Sequence, residues 1–450
     1  LKILIKYGCI FLEKVYNIVR GDFMLIQFSV KNFMSFKEKQ EFSMEAGLGE
    51  ENINNVVTLN GSKERVLKTT ALYGANASGK TNLINAISAA VMMVRLSNSR
   101  QPGEKLSQME PFAFDNESKN SPCEFEFIFY VDLTKYVYGF KADKERVYEE
   151  YLYQFLSAKA TRIFERTNCS EYKFLQSDEG KLNSIKNQNL DNKLFLATAT
   201  TWNYDKTKKP YLWFAKMIDT YSGGMELTPF SLEAYDNDEN ESLKKFTLRL
   251  LEESDIVIKD YNVEIEEKEI ENNILMQLNN INITPNMIMP KAKIIKSITM
   301  AHEVIDKNGK PTVFDLNFNN ESSGTRILFS MAPLLKNAFE NGKVIAIDEI
   351  EKSLHPNLVE MIIKFFHNSE INKKNAQLIF NTHDTNLLSL DLFRRDQIWF
   401  AEKDQKKGAT ELYPLDDFSV RKTENIQKGY LNGRYGAIPF VAVENNIWQE

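Results

Sequence analysis

The sequence predicts an α/β fold that carries an antiparallel β subdomain and an inserted α+β lobe. The first indication is a glycine-containing loop, Gly74–Thr81, between an apolar run at 70–73 and a segment of helical character. The second is a series of runs rich in Phe, Tyr and Val within residues 124–155, separated by charged or turn residues as antiparallel strands are. The third is the helix–strand–helix–strand pattern after Ser322, which includes a continuous apolar run at 343–347 typical of a buried parallel strand.

Each predicted element follows from its local pattern, namely alternation or apolar runs for strands and mixed helical periodicity elsewhere. No heptad run is long enough for a coiled-coil arm, and no internal repeat is present in the sequence. The predicted elements in order are strands at 25–30, 40–44 and 70–73, a helix at 82–95, strands at 124–131, 135–142 and 147–155, a mostly helical stretch at 203–260, strands at 261–266 and 294–302, a turn at Asp306–Gly309, a helix at 322–335, and strands at 343–347 and 377–381.

Composition narrows the class of protein. The 450 residues suggest two or three lobes, and 43% hydrophobic content is ample for their cores. The net charge of −6 gives no overall attraction to nucleic acid or to an anionic membrane, although a local basic patch stays possible. Cys9, Cys123 and Cys169 lie far apart, without metal-type spacing, and are expected to be free thiols in a reducing compartment.

The N-terminal segment 1–23 is expected to be an extension outside the fold. It is apolar but interrupted by charges, which excludes a membrane span, and a signal peptide is the alternative. Since no other apolar run reaches membrane length, we expect a cytoplasmic protein without membrane partners. The predicted organisation is the extension (1–23), the N-terminal part of the core domain with the glycine loop and β subdomain (24–202), an inserted helical/β lobe (203–318), and the C-terminal part of the core domain (319–450).

The glycine loop fits the pattern G-x-x-x-x-G-K-T in the strand–loop–helix setting that a phosphate-binding loop requires. Its glycines let successive N–H groups converge on one anion, and the following helix adds its positive end. We expect Lys80 to reach the β- and γ-phosphates and the Thr81 hydroxyl to hold Mg²⁺. A turn that ends in Lys-Thr by chance is the alternative. The expected ATP-binding residues here are Gly74, Ala75, Asn76, Ala77, Ser78, Gly79, Lys80, Thr81 and Asn82.

Two later strands end in residues suited to the same site. The run at 343–347 ends in Asp348, a candidate Mg²⁺ ligand, and Glu349, a candidate base for the attacking water. The strand at 377–381 is followed by His383, which can reach the γ-phosphate from the carboxyl edge of the sheet. A strand that ends at a charged surface and a structural histidine are the alternatives. Lys80, Glu349 and His383 are the predicted catalytic residues.

A third segment, Ser322-Ser323-Gly324, opens the helix at 322–335. Small hydroxyl residues and a glycine at a helix start form an anion-binding cap, whose expected target is the γ-phosphate held by a second subunit. An ordinary helix N-cap would have the same sequence, so this interpretation stays open here.

Taken in order, these segments resemble the ABC-type P-loop ATPase heads of the SMC/RecF class. The resemblance begins at Asn32–Phe36, which brings Ser35 into the expected ATP-binding set, and includes the loop Ser353–His355 at the expected dimer seam. It implies an AAA-family ATPase with ATP and Mg²⁺ as cofactors, in which Ser322, Ser323 and Gly324 act on a partner subunit. The chain departs from the pattern in having Met34 where many heads have Arg, and neither Gln108 nor Gln188 fits the Mg²⁺-linked Gln loop.

Segments beyond the nucleotide motifs resemble the ATP-binding proteins of bacterial abortive-infection and anti-phage operons. They include Pro111–Phe114, Leu194–Leu196, Arg395–Trp399 and Gly429–Pro439. The resemblance implies a separately encoded effector, often a Toprim-type nuclease, since few residues follow Pro439 for a fused one. The segment Tyr430–Pro439 is either a partner surface or, as we favour, a closing turn packed on the head.

The hypothesis is therefore an ATPase that forms a homodimer or larger homo-oligomer around ATP and switches an effector. One alternative is a RecF-like repair ATPase that binds DNA directly, with Lys206, Lys208 and Lys209 as candidate contacts unless they form a solvated face. A second alternative is a nucleotide-gated scaffold with little turnover. A transporter ATPase fits the Ser-Ser-Gly-Thr segment less well.

Overall fold

A computed structural model describes residues 23–59, 62–222, 224, 227–269, 291–421 and 423–439. The predicted extension at 1–23 lies outside these residues except for Phe23. The described strands are β1 (Phe23–Lys31), β2 (Gln40–Ser43), β3 (Val56–Thr58), β4 (Arg65–Leu67), β5 (Thr69–Tyr73), β6 (Cys123–Val131), β7 (Thr134–Ala142), β8 (Val147–Phe155), β9 (Thr161–Thr167), β10 (Glu171–Phe174), β11 (Ile218–Ser222), β12 (Asp260–Glu269), β13 (Lys291–Ile305), β14 (Pro311–Asn317), β15 (Val344–Asp348), β16 (Gln377–Asn381), β17 (Ile398–Lys403) and β18 (Thr410–Pro414). The described α-helices are α1 (Lys80–Arg95), α2 (Asn116–Lys119), α3 (Glu179–Lys186), α4 (Phe195–Thr201), α5 (Asp205–Leu212), α6 (Pro229–Asp236), α7 (Ser242–Glu252), α8 (Ser323–Asn341), α9 (Pro356–His367) and α10 (Ile426–Leu431).

The chain forms two compact units. The smaller unit comprises Gly224–Asn337 and Ser353–His355, and the larger unit contains the other described residues. These limits differ from the predicted boundaries at 202 and 318, and the functional division of the chain stays a prediction. Among the described residues, no helix is both long and apolar enough to cross a membrane.

The first sheet of the larger unit is antiparallel, with the strand order β10-β9-β8-β7-β6-β1-β2. Its central strands alternate between buried and partly exposed residues, as the pattern of Phe and Tyr in 123–155 predicts for a sheet with one covered face. This sheet is the predicted antiparallel β subdomain. Aromatic rings dominate its covered face, where Phe129 stacks on Trp213 with ring centroids 4.2 Å apart.

The second sheet has the order β11-β15-β16-β5-β17-β18 and is parallel except for β18. Strands β5 and β16 are buried at every residue, which explains why neither alternates between apolar and polar residues. Because β15, β16 and β5 are parallel neighbours, their carboxyl ends meet at one edge. The P-loop follows β5, Asp348 ends β15 and Asn381 ends β16 at that edge.

Helix α1 connects the two sheets of the larger unit through one hydrophobic core. Leu83, Ile87 and Val91 are fully or almost fully buried, and they belong to the same cluster as Phe28 and Phe127 of the first sheet. Val344 and Ile379 of the second sheet are also members of that cluster. Helix α1, which follows the glycine loop, is thus held on both sides.

The smaller unit contains the sheet β12-β13-β14, helices α6 and α7 and the N-terminal part of α8. Its core is aromatic: the Phe329 ring stacks on Tyr235 at 4.7 Å and lies edge-on to Tyr261 at 4.9 Å. The outer strand β14 is exposed at almost every residue, and Phe314 retains 58% of its accessible surface. The predicted turn at Asp306–Gly309 is confirmed, with the Gly309 N–H donating to Asp306 O.

The stretch 203–260 is mostly helical, as predicted, with α5, α6 and α7 in it, but the prediction missed one strand. Strand β11 lies within it and pairs in parallel with β15 at the edge of the second sheet. The strand is short and carries Asp219, which accepts from Arg95 Nη2 at 2.9 Å and from Lys343 Nζ at 2.8 Å. Since partners distant in sequence stabilise this strand, its local pattern did not predict it.

Candidate nucleotide-binding site

The P-loop has a backbone that requires its glycines. Gly79 has φ 107°, and a Cβ there would overlap the Thr410 side chain and the Ser35 hydroxyl. A Cβ on Gly74 would overlap Ala401 O and the Ser78 hydroxyl. Ala77, at the exposed crest, is also left-handed with φ 61°. The loop is therefore tightly packed from below and open to solvent at its crest, as a cradle for an anion is.

Ser35 and Thr410 brace the P-loop from two other segments. The Ser35 hydroxyl accepts from Asn82 Nδ2 at 2.7 Å and lies 2.8 Å from Thr410 Oγ1, within hydrogen-bond distance. Thr410 donates to Ser78 O at 2.7 Å. Both side chains are buried, at 6% and 1% exposure. In this structure Ser35, predicted to bind ATP, contacts the loop and the first turn of α1.

Lys80 is folded onto the loop that precedes it. Its Nζ donates to Gly74 O at 2.8 Å and to Ala75 O at 3.0 Å. Burial lowers the pKa of Lys80 to about 8, although the negative charges of Glu351, Asp348 and Glu349 oppose that shift. The predicted lysine and both predicted carboxylates therefore lie close enough to interact electrostatically.

The Asn381 side chain connects the end of β16 to the end of β15 by hydrogen bonds. Asn381 Nδ2 donates to Asp348 Oδ1 at 2.5 Å, and the Glu349 N–H donates to Asn381 Oδ1 at 2.5 Å. The Ile350 N–H donates to Asn381 O at 3.3 Å. Glu349 has φ 51°, a left-handed conformation that costs a non-glycine residue about 1–2 kcal/mol. Contacts from the neighbouring strand thus hold the turn that carries both carboxylates.

His383 lies two residues past β16 with an exposed side chain. Its backbone N–H donates to Glu351 Oε1 at 2.6 Å. Four polar atoms around the loop are buried without a hydrogen-bond partner among the described residues: Tyr73 Oη, Ser78 Oγ, Glu351 Oε2 and Asp384 Oδ2. Burial, reinforced by the charges of Asp384 and Glu351, raises the pKa of Tyr73 well above its ordinary value.

A cavity of about 600 Å³ lies beside the loop in the larger unit. It is lined by the crest of the loop at 75–78, by Phe114 and by residues 401–408 at the end of β17 and in the turn that follows it. Phe114 is 69% exposed, and Lys403 Nζ lies 5.4 Å from its ring centroid. The cavity therefore offers an aromatic face and cationic side chains next to a phosphate cradle.

The segment Tyr430–Pro439 forms part of this region, packed on the head as we favoured. The Tyr430 ring stacks on Phe400 at 5.5 Å and lies 6.1 Å from the Tyr73 ring, and Tyr430 Oη donates to Ala437 O at 3.0 Å. Ala437 and Ile438 line the cavity.

These residues fit ATP and Mg²⁺. The unpartnered Ser78 hydroxyl lies in the loop, the glycine cradle excludes side chains, and Lys80 supplies a buried cation. Thr81 is exposed at the start of α1, and Asp348 offers a carboxylate at the end of β15, which β16 separates from β5. Hydroxyl and carboxylate oxygens are the hard donors that Mg²⁺ prefers. Gln108 Oε1 accepts from Arg100 Nη2 at 3.3 Å, so the structure gives it a partner away from the loop.

Ser322, Ser323 and Gly324 belong to the smaller unit. The Ser322 hydroxyl caps α8 by accepting from the Thr325 N–H at 3.1 Å, so this side chain serves as an N-cap. Ser322 and Ser323 are exposed. In the same unit Ser353 O lies 3.4 Å from the position that a Cβ on Gly324 would take, which brings the loop Ser353–His355 against the start of α8.

Comparison with known proteins gives the family. Residues 69–389 match the family model described as "AAA domain, putative AbiEii toxin, Type IV TA system". The chain belongs to this AAA-domain family. The match includes the P-loop, Asp348, Glu349 and His383, and it supports the predicted abortive-infection resemblance. No curated protein matches the chain significantly.

Solved structures similar to this AAA-domain chain include SMC heads. The SMC head domain from Thermotoga maritima is 15% identical over 87% of this chain and 98% of its own, with a TM-score of 0.37. The SmcHead bound to the C-winged helix domain of ScpA is 14% identical over 87% of this chain and 97% of its own, with a TM-score of 0.39. The α/β head fold itself is evident in the strand order of the second sheet and its P-loop.

Sequence reasoning missed Asn381, Glu351 and Thr410. Asn381 was assigned only to a buried strand, although an amide at the last position of an apolar run is a signal of a polar task at the sheet edge. Glu351 is two residues past Glu349 and was not singled out. Thr410 carried no local signal, because its partners Ser35 and Ser78 are more than 300 residues away.

Proposed function

We propose that this chain is an ATP-hydrolysing switch that dimerises around ATP, with the P-loop of one copy facing Ser322–Gly324 of another. The observation that supports it most is the convergence of the buried Lys80 with the partly exposed Asp348 and Glu349 at the carboxyl ends of parallel strands. Ligands of open α/β sheets bind at this edge. The exposed Ser323 supports a target outside its own chain.

Each side chain has one proposed task. Lys80 binds the phosphates, and Glu349 orients and deprotonates the attacking water. Asp348 and Thr81 hold Mg²⁺, which when bound neutralises charge on the phosphate oxygens. His383 contacts the γ-phosphate from the end of β16. The aromatic face of Phe114 accepts the base in the neighbouring cavity.

The partner is a separately encoded effector, such as a Toprim-type nuclease, that the ATP cycle switches during anti-phage defence in the cytoplasm. The family description, which names a putative AbiEii toxin of a type IV toxin–antitoxin system, supports a defence role. A change in assembly driven by nucleotide would provide the switch.

The test compares the wild-type chain with Glu349→Gln and Lys80→Ala. ATP turnover, nucleotide binding and oligomeric mass are measured with and without duplex DNA. We expect Glu349→Gln to bind ATP, to hydrolyse it at least about 100-fold more slowly and to accumulate as a dimer or larger assembly, because only the base is removed. Lys80→Ala should lose tight binding. Glu370→Gln, an exposed carboxylate past α9, is the matched control.

Normal turnover by Glu349→Gln would contradict the assignment of the base. If the wild-type chain neither hydrolyses ATP nor assembles, the switch is not an ATPase. Turnover that depends on DNA would instead favour the repair alternative.

A further inference from the structure

We propose that Asn381 and Glu351 join the turns after β15 and β16 into one rigid body. Their hydrogen bonds, which we call the clamp, position the carboxylates of Asp348 and Glu349 and the side chain of His383. This inference rests on the proposed ATPase function but concerns residues to which that function gives no task. Asn381 and Glu351 are positioning residues, since each acts through a neighbour.

The first half of the clamp runs from β16 to the turn after β15. The buried Asn381 amide uses its N–H on the Asp348 carboxylate and its oxygen on the Glu349 N–H. An amide is the side chain that offers a donor and an acceptor side by side, so one residue fixes two successive positions of the facing turn. Aspartate could not donate to Asp348, and leucine could contact neither.

The second half runs in the opposite direction. Glu351, three residues past Asp348, accepts from the His383 N–H at 2.6 Å, two residues past Asn381. With the bond between the Ile350 N–H and Asn381 O, four hydrogen bonds connect residues 348–351 to residues 381–383. Neither turn can move without breaking bonds to the other.

Two further observations indicate that this arrangement is more than packing. Glu349 has a left-handed backbone, which is retained only where the surroundings hold it, and its N–H is one of the four bonds. Glu351 Oε2 is buried without a hydrogen-bond partner among the described residues. The carboxylate therefore binds the His383 N–H through one oxygen while its second oxygen makes no hydrogen bond there. Such unfavourable features concentrate at functional sites.

The clamp holds the carboxylates of Asp348 and Glu349 in one position. A displacement of a catalytic group by about 1 Å lowers the rate on the order of 100-fold. Asn381→Ala should therefore lower kcat by about 10- to 100-fold. The affinity for ATP in EDTA should stay within about 3-fold of the wild type, because Lys80 and the P-loop are untouched. Asn386 has an exposed amide in the segment that follows β16. Asn386→Ala is therefore the matched control and should keep the wild-type kcat.

Glu351 is tested by a conservative pair. Glu351→Gln retains an oxygen for the His383 N–H and should keep kcat within about 3-fold, whereas Glu351→Ala should lose about 10-fold or more. In the double variant Asn381→Ala/Glu351→Ala the losses should fall short of the product of the single losses, because one rigid body is broken once. Amide hydrogen exchange should accelerate at Glu349, Ile350 and His383 in both alanine variants.

Wild-type kcat in Asn381→Ala would overturn the clamp. So would an equal loss of kcat and of ATP affinity in EDTA, with a lowered Tm, because that pattern indicates a general core residue. If the wild-type chain hydrolyses no ATP, the proposed function fails, and the clamp is judged on exchange alone: unchanged protection of the three amides in both alanine variants overturns it.

Discussion

The carboxyl edge of the six-stranded sheet and the start of α8 in the smaller unit differ in how far the side chains of each are buried and held by their own chain. At the sheet edge, Lys80, Asp348 and Glu349 have partners within the larger unit, and strand β16 is fully buried. In the smaller unit Ser323 is exposed, and so is most of β14. The first region holds its candidate ligand-binding side chains in place without a second molecule. The second presents its groups to solvent, as a surface that acts on another molecule must.

The largest effect that would sharpen this contrast is expected from Ser323→Glu. A carboxylate in the first turn of α8 favours the helix by about 0.3–1 kcal/mol, so the fold should not suffer. It would nevertheless place a negative charge where the γ-phosphate of a second copy is proposed to lie, and turnover should fall about 100-fold at saturating ATP. Steady-state kinetics and ATP binding at protein concentrations below assembly check this. Loss of ATP binding by the monomer would break the comparison.

The next effect concerns His367 at the end of α9, which contacts Thr69 Oγ1 at the amino end of β5 at 2.7 Å. Burial, with a smaller contribution from the Lys68 charge, lowers the pKa of His367 from 6.5 to about 3. The native state therefore binds fewer protons than the unfolded state between these values. Stability should fall as the pH drops from 6.5, by about 1.4 kcal/mol for each pH unit.

Urea unfolding of wild type and His367→Gln between pH 4 and pH 8 measures this contribution. The glutamine can still bond to Thr69 but does not titrate, so the stability of the variant should depend less on pH in the acid range. Parallel pH curves for the two proteins would contradict the assignment.

A smaller effect is expected from Phe114, an exposed side chain that lines the cavity beside the P-loop. Phe114→Ala removes the aromatic face of the cavity, and loss of base stacking should weaken ATP binding by about 1–3 kcal/mol. Phe114→Tyr should retain the affinity. Inorganic triphosphate, which has no base, should bind wild type and Phe114→Ala equally, and a loss with triphosphate as well would show that Phe114 supports the loop instead.

The smallest effect is expected on the open face of β14. Phe314→Ser should change the free energy of unfolding by at most about 0.5 kcal/mol, since the ring is mostly exposed. Met300→Ala, at a fully buried position of the adjacent strand β13, should cost about 2–5 kcal/mol. Denaturant curves of the isolated chain compare them. A cost above about 1 kcal/mol for Phe314→Ser would show that this face is covered.

The sequence predicted what local pattern determines. The P-loop at 74–81, the apolar strand before Asp348 and the antiparallel runs at 123–155 each have a signature within a few residues, and the structure contains them. Strand β11 was missed because its partners Arg95 and Lys343 are remote. The roles of Asn381 and Glu351 were missed for the same reason, since their bonds join two turns about 32 residues apart. A single sequence does not show such pairs.

Position 438 is suited to a fluorescent label that reports on the cavity. Ile438 lines the cavity together with the crest of the P-loop and is only half-buried, so a cysteine in its place could carry an environment-sensitive dye. Cys123 would compete little for the label, because burial raises the pKa of its thiol to about 12, whereas Cys9 and the half-buried Cys169 would first be replaced by serine. A dye at this position would turn nucleotide occupancy into a change in fluorescence, readable in real time and without reference to turnover.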